Sequence, residues 1–259
     1  MSDNQAKARV QQQFGAAAAQ YVDSPIHAHG DDLGRMVELA KLRGDERVLD
    51  VATGGGHTAL AFAPHVRAVI ATDLTPPMLA AAATFVRAHG AANVAFELAD
   101  AEALPFPDAS FDCVTVRIAP HHFPQPARFV QEVARVLRSG GLFIFNDNIA
   151  PDDAAQAMFL NRVEQWRDLS HVRCLSIHEW HTLMQNAGLT VVQTEPVHHK
   201  VHDFVDWTAR IQLPAAERDA LEAWMLSSPA ALLAAFDVGI DHGRVRTFRG
   251  DAVIIVAQR

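Results

Sequence analysis

The sequence predicts an α/β fold in which helices cover both faces of a mostly parallel β-sheet. Apolar runs with the period of a strand alternate along the chain with runs of helical period, which is typical of such a sheet. Three of the strand-like runs end at or beside an acidic residue, and the first leads through a glycine-rich turn into a helix. With 259 residues, 49% of them hydrophobic and 20% charged, the chain can bury one full core without a disulfide or a metal.

The elements follow in order along the chain. A first amphipathic helix is predicted by positions at helical spacing, namely Val10, Phe14, Ala17, Ala18 and Tyr21. Ser24-Pro25 ends and restarts this helix. A core unit is expected over residues 47–149, followed by helices over 152–169 and 177–187 and a strand over 189–194. Residues 203–239 are again helical in pattern, interrupted by two prolines, and a last strand is predicted over 252–257.

The glycine-rich turn after the first strand predicts a nucleotide-type cofactor loop. Asp50 ends the strand, and three consecutive glycines from Gly54 lead into the helix. Glycines let the backbone approach a ligand where a Cβ would collide, and the start of a helix offers unpaired N–H groups. Since the spacing up to Ala59 also satisfies the dinucleotide fingerprint, a nicotinamide-dependent oxidoreductase is an alternative.

The acidic residue after the second run does not separate these alternatives. Asp73 is followed by Leu74 and two prolines that open a helix. A carboxylate at this point can accept both hydroxyls of a ribose, which is common to dinucleotide and S-adenosylmethionine (SAM) sites.

The block that follows the third run is more specific. Starting at Asp100 it reads D-A-x-x-L-P-F-x-D-x-S-F-D, and it resembles class I SAM-dependent methyltransferases. Residues 117–123, the helix predicted over 126–137 and the segment RSGGL at 138–142 are similar to the group around the ubiquinone and menaquinone C-methyltransferases. SPIHAHGDDL at 24–33 and GRVRTFRGDAVIIVA at 243–257 are similar to bacterial relatives of that group. One departure is Ala52, where the family carries the first glycine of its loop.

This resemblance implies a Rossmann-like sheet of seven strands with an antiparallel last strand, SAM as the cofactor, and methyl transfer to a small-molecule acceptor. C-methylation of a quinol-like ring is preferred, with O- or N-methylation of a natural product as the alternative within enzymes. A nicotinamide-dependent oxidoreductase and a SAM-binding protein without catalysis stay open as other classes. The implied cofactor-binding residues are Asp50, Ala52, Thr53, Gly54, Gly55, Gly56, Asp73, Leu74, Met78, Asp100, Ala101 and Arg117.

Two adjacent histidines are the predicted catalytic residues. His121 and His122 follow the fourth strand, where the resembled family brings cofactor and acceptor together. Imidazole can take up a proton near neutral pH, so either ring suits a general base. The equal alternative is that one ring donates to a backbone carbonyl and holds the loop.

Arg117 and the N-terminal segment complete the predicted site. Arg117 is expected either to face the methionine carboxylate of the cofactor or to pair with Asp112. Tyr21 and His27 are predicted to contact the acceptor, with ordinary packing as the alternative.

Metal binding is not predicted, although the chain has 14 histidines. The segment from His178 to His181 is one residue short of H-E-x-x-H, so the zinc-peptidase geometry is lost. His198, His199 and His202, placed at the end of the sixth strand, lack a cysteine or acidic partner at ligand spacing.

The whole chain, residues 1–259, is expected to form a single methyltransferase domain. Residues 1–44 are predicted to form a helical lid, 45–150 the SAM-binding core, and 151–259 the C-terminal half of the sheet. A substrate cap is expected at about 197–250, as a helical insertion before the last strand. The alternative is that these helices only add to the core.

Net charge and cysteine content limit which partners and which cellular compartment can be expected. The formal net charge of −8, without a basic block, disfavours nucleic-acid binding. Cys113 and Cys174 form no disulfide framework, and Cys113 is expected to be a small core residue. Since no signal peptide or membrane-spanning stretch is recognised, a cytoplasmic protein without stable membrane insertion is expected. A homodimer is left open.

Overall fold

The computed structural model describes residues 2–22 and 30–259. The N-terminal half comprises α1 (Asp3–Val22), α2 (Asp31–Leu39), β1 (Arg47–Val51), α3 (His57–Phe62), β2 (Ala68–Asp73), α4 (Pro76–Ala88), β3 (Val94–Leu98), β4 (Phe111–Arg117), α5 (Pro126–Val136) and β5 (Leu137–Ile149). The C-terminal half comprises α6 (Ala154–Arg167), α7 (Ile177–Asn186), β6 (Thr190–Thr194), β7 (His198–Asp203), α8 (Phe204–Ala209), α9 (Ala215–Leu226), α10 (Ala230–Ala235), β8 (Gly239–Asp241) and β9 (Arg244–Gln258).

The sheet has the predicted α/β topology. Its strands lie in the order β3-β2-β1-β4-β5-β9-β6, and the first five of these are parallel neighbours. β9 runs antiparallel to both β5 and β6. The expected Rossmann-like arrangement of seven strands with an antiparallel last strand is therefore confirmed. The carboxyl ends of β1 to β5 meet at one edge of the sheet, where ligands of such folds bind.

Two further strands extend the predicted sheet. β9 begins at Arg244 rather than at residue 252, and β7 and β8 both pair with its first half. The interpretation that His198, His199 and His202 sit at the end of the sixth strand is wrong, because they form β7 instead. The long β9 explains the difference, since its main chain offers hydrogen-bonding partners to a segment that is poor in apolar residues.

The helices begin and end at the expected local features. α5 has a proline at its first position, and α7 begins with a capping box in which Ser176 and Glu179 satisfy each other's backbone N–H groups. Residues 203–239 contain α8, α9 and α10, as the helical pattern predicts. The predicted end and restart of the first helix at Ser24-Pro25 lies outside the described part of the chain. His27 and the side chain of Tyr21 also lie outside it.

Three apolar clusters hold these layers together. The first two lie on opposite faces of the sheet, because alternate residues of β1 point to opposite sides: Leu49 belongs to the first cluster and Val48 to the second. The third cluster joins α6 to the segment predicted as the cap, and includes Phe159, Trp207 and Phe248. The cap helices thus contribute core of their own. In the described residues, no helix has both the length and the apolar character needed to cross a membrane.

Candidate active site

The turn between β1 and α3 adopts a backbone that favours glycine. Gly54 and Gly56 have φ angles of +55° and +86°, and Ala52 also has a positive φ, of 52°. This conformation is unfavourable for a residue with a Cβ, which accounts for the glycine that the resembled family carries at this position. The turn therefore keeps its glycine-type path although the sequence departs from the motif.

Asp50 lies beneath the turn rather than in the cleft above it. Its Oδ2 accepts a hydrogen bond from the Thr53 hydroxyl at 2.6 Å, and its Oδ1 accepts one from the Thr115 hydroxyl at 2.8 Å. Burial raises the pKa of the Asp50 carboxyl to about 6, although these hydrogen bonds act in the opposite direction. Asp50 thus supports the turn from below.

Gly56 also serves the packing of the turn. A Cβ on this residue would lie 2.9 Å from a Val86 side-chain carbon on α4, so only glycine fits without a shift. The structure places neither Asp50 nor Gly56 among the residues that line the cleft.

Asp73 ties the turn to the end of β2. Its Oδ2 accepts a hydrogen bond from the Gly54 N–H at 3.0 Å, and its Oδ1 accepts one from the Thr75 N–H at 2.8 Å. Burial raises the pKa of the carboxyl despite these bonds. Each oxygen of a carboxylate has two acceptor positions, so both remain able to accept a hydroxyl.

A cleft opens above these residues at the carboxyl edge of the sheet. It brings together most of the predicted cofactor-binding residues, namely Ala52, Thr53, Gly54, Gly55, Asp73, Leu74, Met78, Asp100, Ala101 and Arg117. His122 also lines it, whereas His121 does not. Among the residues that sequence reasoning missed are Lys7, Val10, Glu102 and Ile118.

Helix α1 forms one wall of the cleft and is held by polar contacts. The Lys7 ammonium lies 2.6 Å from a carboxylate oxygen of Asp100 and 2.6 Å from one of Glu102. Gln11 donates a hydrogen bond to the Leu74 carbonyl at 2.9 Å. No spacing in the sequence indicates Lys7, because its partners lie more than 90 residues away.

Arg117 pairs with Asp32, at distances of 2.6 and 3.0 Å. The predicted alternative of a pair with Asp112 is wrong, because Asp112 lies at the opposite end of β4. There it accepts hydrogen bonds from Arg138 at 2.6 Å and from the Arg47 N–H at 2.8 Å. The contact of Arg117 with a cofactor carboxylate stays a prediction.

His121 is engaged by a buried carboxylate. Its Nδ1 lies 2.6 Å from Asp147 Oδ1, and its backbone N–H donates to Asp147 Oδ2 at 2.8 Å. Burial lowers the pKa of this imidazole, but the Asp147 charge and hydrogen bond outweigh it, so the pKa is raised. Of the two adjacent rings, His121 is thus the one whose surroundings favour the charged form.

His122 is in a different state. Its Nδ1 lies 3.0 Å from the Ser170 carbonyl oxygen, which only accepts, so Nδ1 carries the hydrogen and Nε2 the lone pair. Burial, together with the charged His121, lowers the pKa of His122 to about 4. The Phe14 ring from α1 packs edge-on against it, with ring centroids 5.0 Å apart. A neutral imidazole, whose Nε2 has no hydrogen-bond partner among the described residues, thus lines the cleft.

The described residues were predicted to bind no metal, and their arrangement offers no metal site. Within residues 2–22 and 30–259, no group of three or more histidine, cysteine, aspartate or glutamate side chains is arranged to hold an ion.

Comparison with known proteins finds methyltransferases. The family described as "Methyltransferase domain" matches residues 49–145. The uncharacterised methyltransferase YcgJ of Bacillus subtilis is 45% identical over 170 residues, covering 66% of this chain and 67% of YcgJ. The crystal structure of BH2331 from Bacillus halodurans has a TM-score of 0.86 and 41% identity, covering 88% of this chain and 99% of that one. A demethylmenaquinone methyltransferase of Thermus thermophilus is 42% identical over 113 residues, covering 42% of this chain and 50% of the relative.

Proposed function

The chain belongs to the family of class I SAM-dependent methyltransferases, and on this basis we propose that it methylates a small molecule bound beside His122, with a ring carbon of a quinol-like compound as the accepting atom. The observation that carries the proposal is the state of His122, a neutral imidazole that lines the cleft and whose Nε2 has no hydrogen-bond partner in the described ranges.

The cleft fits the cofactor of this family. SAM supplies a methyl group that its sulfonium already activates. Asp73 keeps acceptor positions for the ribose hydroxyls, and Leu74 offers an apolar face to the adenine. A Cβ built on Gly54 meets no atom within 4 Å, so the space above the turn is free for the methionine part. Asp100 with Ala101 would meet the amino edge of the adenine.

The protein's own contribution is to position the acceptor and to exclude water. Val10 and Phe14 give the α1 wall an apolar character, and proximity in such an enclosed space accounts for much of the acceleration in transfer reactions. His122 Nε2 takes up the hydroxyl proton of the acceptor, and Ser170 holds the ring in the required tautomer. The ring carbon would then bond to the methyl group as its bond to sulfur breaks, and the hydrogen on that carbon would leave as a proton while the ring oxygen regains one. Asp147 holds His121 in place, and the pKa of His121 is raised; the interaction of His121 with His122 lowers the pKa of His122, which keeps that ring neutral before it takes up a proton.

A quinol-like acceptor is favoured over other small molecules for two reasons. Removing the proton of a phenolic hydroxyl increases electron density on the ring carbons, which suits a site whose base is a neutral imidazole. The demethylmenaquinone methyltransferase relative also acts, by its name, on a compound of this kind. O- or N-methylation of a natural product is the alternative outcome of the test below.

The test uses methyl-labelled SAM with a metabolite extract from the source organism. The wild type is expected to label a product, and identification of that product gives the methylated atom. His122→Gln should lower turnover about 100-fold or more while the SAM dissociation constant stays unchanged. Because the pKa of His122 is lowered to about 4, kcat/KM of the wild type should fall only on the acidic side of neutrality. The exposed His89 provides a matched control as His89→Gln.

Two outcomes would contradict the proposal. If the wild type binds SAM but labels no compound, it is not an active methyltransferase under this assay and the proposed reaction fails. Should His122→Gln retain the turnover and acidic limb of the wild type, His122 only holds the loop through Ser170.

A further inference from the structure

A second cavity lies beside the cofactor cleft, on the other side of Arg117. Its volume is about 490 Å³, and Arg117 and Ile118 line both spaces. Its polar side chains include Asp32, Arg35, Glu195 and Lys200. Among the predicted site residues that the structure describes, Arg117 belongs to this lining.

Strand register places this cavity at the same edge of the sheet as the cofactor cleft. Arg117 at the end of β4 pairs with Asn146 on β5, and Asn146 pairs with Ile254 on β9. β7 then pairs with β9, which brings His198 and Lys200 over the same edge. The cavity therefore continues the cofactor cleft along β4, β5 and β9, where an acceptor would lie next to the cofactor.

The two carboxylates of the cavity are already neutralised by arginines. Asp32 accepts hydrogen bonds from Arg117 at 2.6 and 3.0 Å and from Asn146 at 2.6 Å. Glu195 accepts hydrogen bonds from Arg35 at 2.8 and 3.1 Å. Each carboxylate thus has an arginine as its direct partner, and Asp32 acts on the charge of Lys200 only at longer range.

Lys200 is the remaining cation. In the described part of the chain its ammonium donates one hydrogen bond, to Asn148 Oδ1 at 3.3 Å, and no carboxylate oxygen lies within 4.0 Å of it. An ammonium has three N–H donors, so this leaves donors for a ligand. Burial also lowers the pKa of Lys200, a cost that an anion placed beside it would offset.

We infer that the methyl acceptor, with its reacting ring beside His122, extends past Arg117 into this cavity, and that Lys200 recognises an acidic oxygen on the part that lies there, either a carboxylate or phosphate or an ionised phenol or enol. The inference rests on the proposed function, because it assigns the acceptor to a methyltransferase. It adds an acceptor class and a binding residue that lies outside the cofactor cleft. His198 is the other titratable side chain on the cavity wall.

The experiment separates a metabolite extract by acidity before the reaction. One fraction is retained on an anion exchanger at pH 5 and holds carboxylic and phosphoric acids. A second is retained only at pH 10 and holds phenols and enols, and a third is not retained. Each fraction is incubated with methyl-labelled SAM and the full-length protein, and the acceptor is expected in one of the first two.

Variants at Lys200 then test the residue. Lys200→Met removes the charge while keeping the length, and kcat/KM for the acceptor should fall roughly 10- to 150-fold, through KM, as expected for loss of a charged hydrogen bond. The SAM dissociation constant should stay unchanged, and the melting temperature should not fall. Lys200→Arg should restore part of the loss, and Lys41→Met, at an exposed lysine, serves as the control.

The outcomes separate this inference from the proposed function. An acceptor found only in the unretained fraction, or Lys200→Met behaving like Lys41→Met, overturns the role of Lys200 and leaves methyl transfer in place. Absence of a labelled product in all three fractions, with SAM bound, overturns both.

Discussion

Replacing Asp50 by asparagine should stabilise the protein at neutral pH and change how its stability depends on pH. Asp50 is 1% exposed, so at pH 7 its charge is carried in the interior. Its Oδ2 accepts a hydrogen bond from Thr53, and its Oδ1 accepts one from Thr115. In Asp50→Asn the amide oxygen can still accept from Thr53. The amide NH₂ can donate to the Thr115 hydroxyl, which then turns toward the Leu49 carbonyl, 3.4 Å away.

The magnitude follows from the raised pKa of Asp50. A rise from 3.8 to about 6 corresponds to about 3 kcal/mol, at about 1.4 kcal/mol for each tenfold change in the acid constant. Because the pKa of Asp50 is raised in the folded state, the wild type is more stable by this amount when Asp50 is protonated. That stability is fully present below pH 3.8 and is lost as the pH rises through about 6. The asparagine variant does not titrate and keeps its stability over that range.

Urea unfolding of both proteins at pH 4, 5, 6, 7 and 8 measures this effect. The difference in unfolding free energy, variant minus wild type, should be near zero at pH 4 and grow to at most about 3 kcal/mol above pH 6. All other titrating groups are common to both proteins and cancel in the difference. A difference that stays constant from pH 4 to pH 8 would refute a raised pKa of Asp50. SAM affinity should change little, since the side chain lies below the turn.

Two further predictions concern cofactor binding. Gly54→Val should abolish SAM binding in calorimetry, because a Cβ at this position points into open cleft space. Gly54→Ala is the control, since it carries the same left-handed backbone strain of about 1–2 kcal/mol with a smaller side chain and so isolates the steric effect. If Gly54→Val binds SAM as the wild type does, the turn serves only the packing of strand against helix. Asp73→Asn should weaken SAM binding by about 1.5–3 kcal/mol, the range for hydrogen bonds to a charged group, and an unchanged dissociation constant would remove Asp73 from the ribose site.

The parallel core could be predicted because local sequence determines it. β3 falls at 94–98 and β2 begins at Ala68, as the apolar runs indicate. β7 could not be predicted in this way. Its sequence HHKVHD contains one apolar residue, Val201, which is 73% exposed. This strand forms because β9 continues beyond the core and supplies main-chain partners, and such long-range pairing leaves no local pattern.

For the candidate site, the sequence predicted which residues meet but not the partners of the charged groups. Residues of the turn and the strand ends follow from their order along the chain. The partners of the charged groups do not, because Arg117 and Asp32 are 85 residues apart and His122 and Ser170 are 48 apart. Sequence order therefore indicated which residues would meet at one cleft, but not the electrostatic state of His121 and His122.

Because β9 is long, the wall that bears Lys200 and the wall formed by α1 are attached to the rest of the protein in different ways. This single strand pairs with β5 and β6 at one end and with β7 and β8 at the other, so the wall that bears Lys200 is bonded to the central sheet through the main chain. That wall cannot swing outward without breaking a ladder of backbone hydrogen bonds. Helix α1 is tied instead by side-chain contacts such as those of Lys7 and Gln11. We therefore expect ligands to enter and leave by lifting of α1, and we expect the wall with Lys200 to lose little conformational entropy if an acceptor binds there.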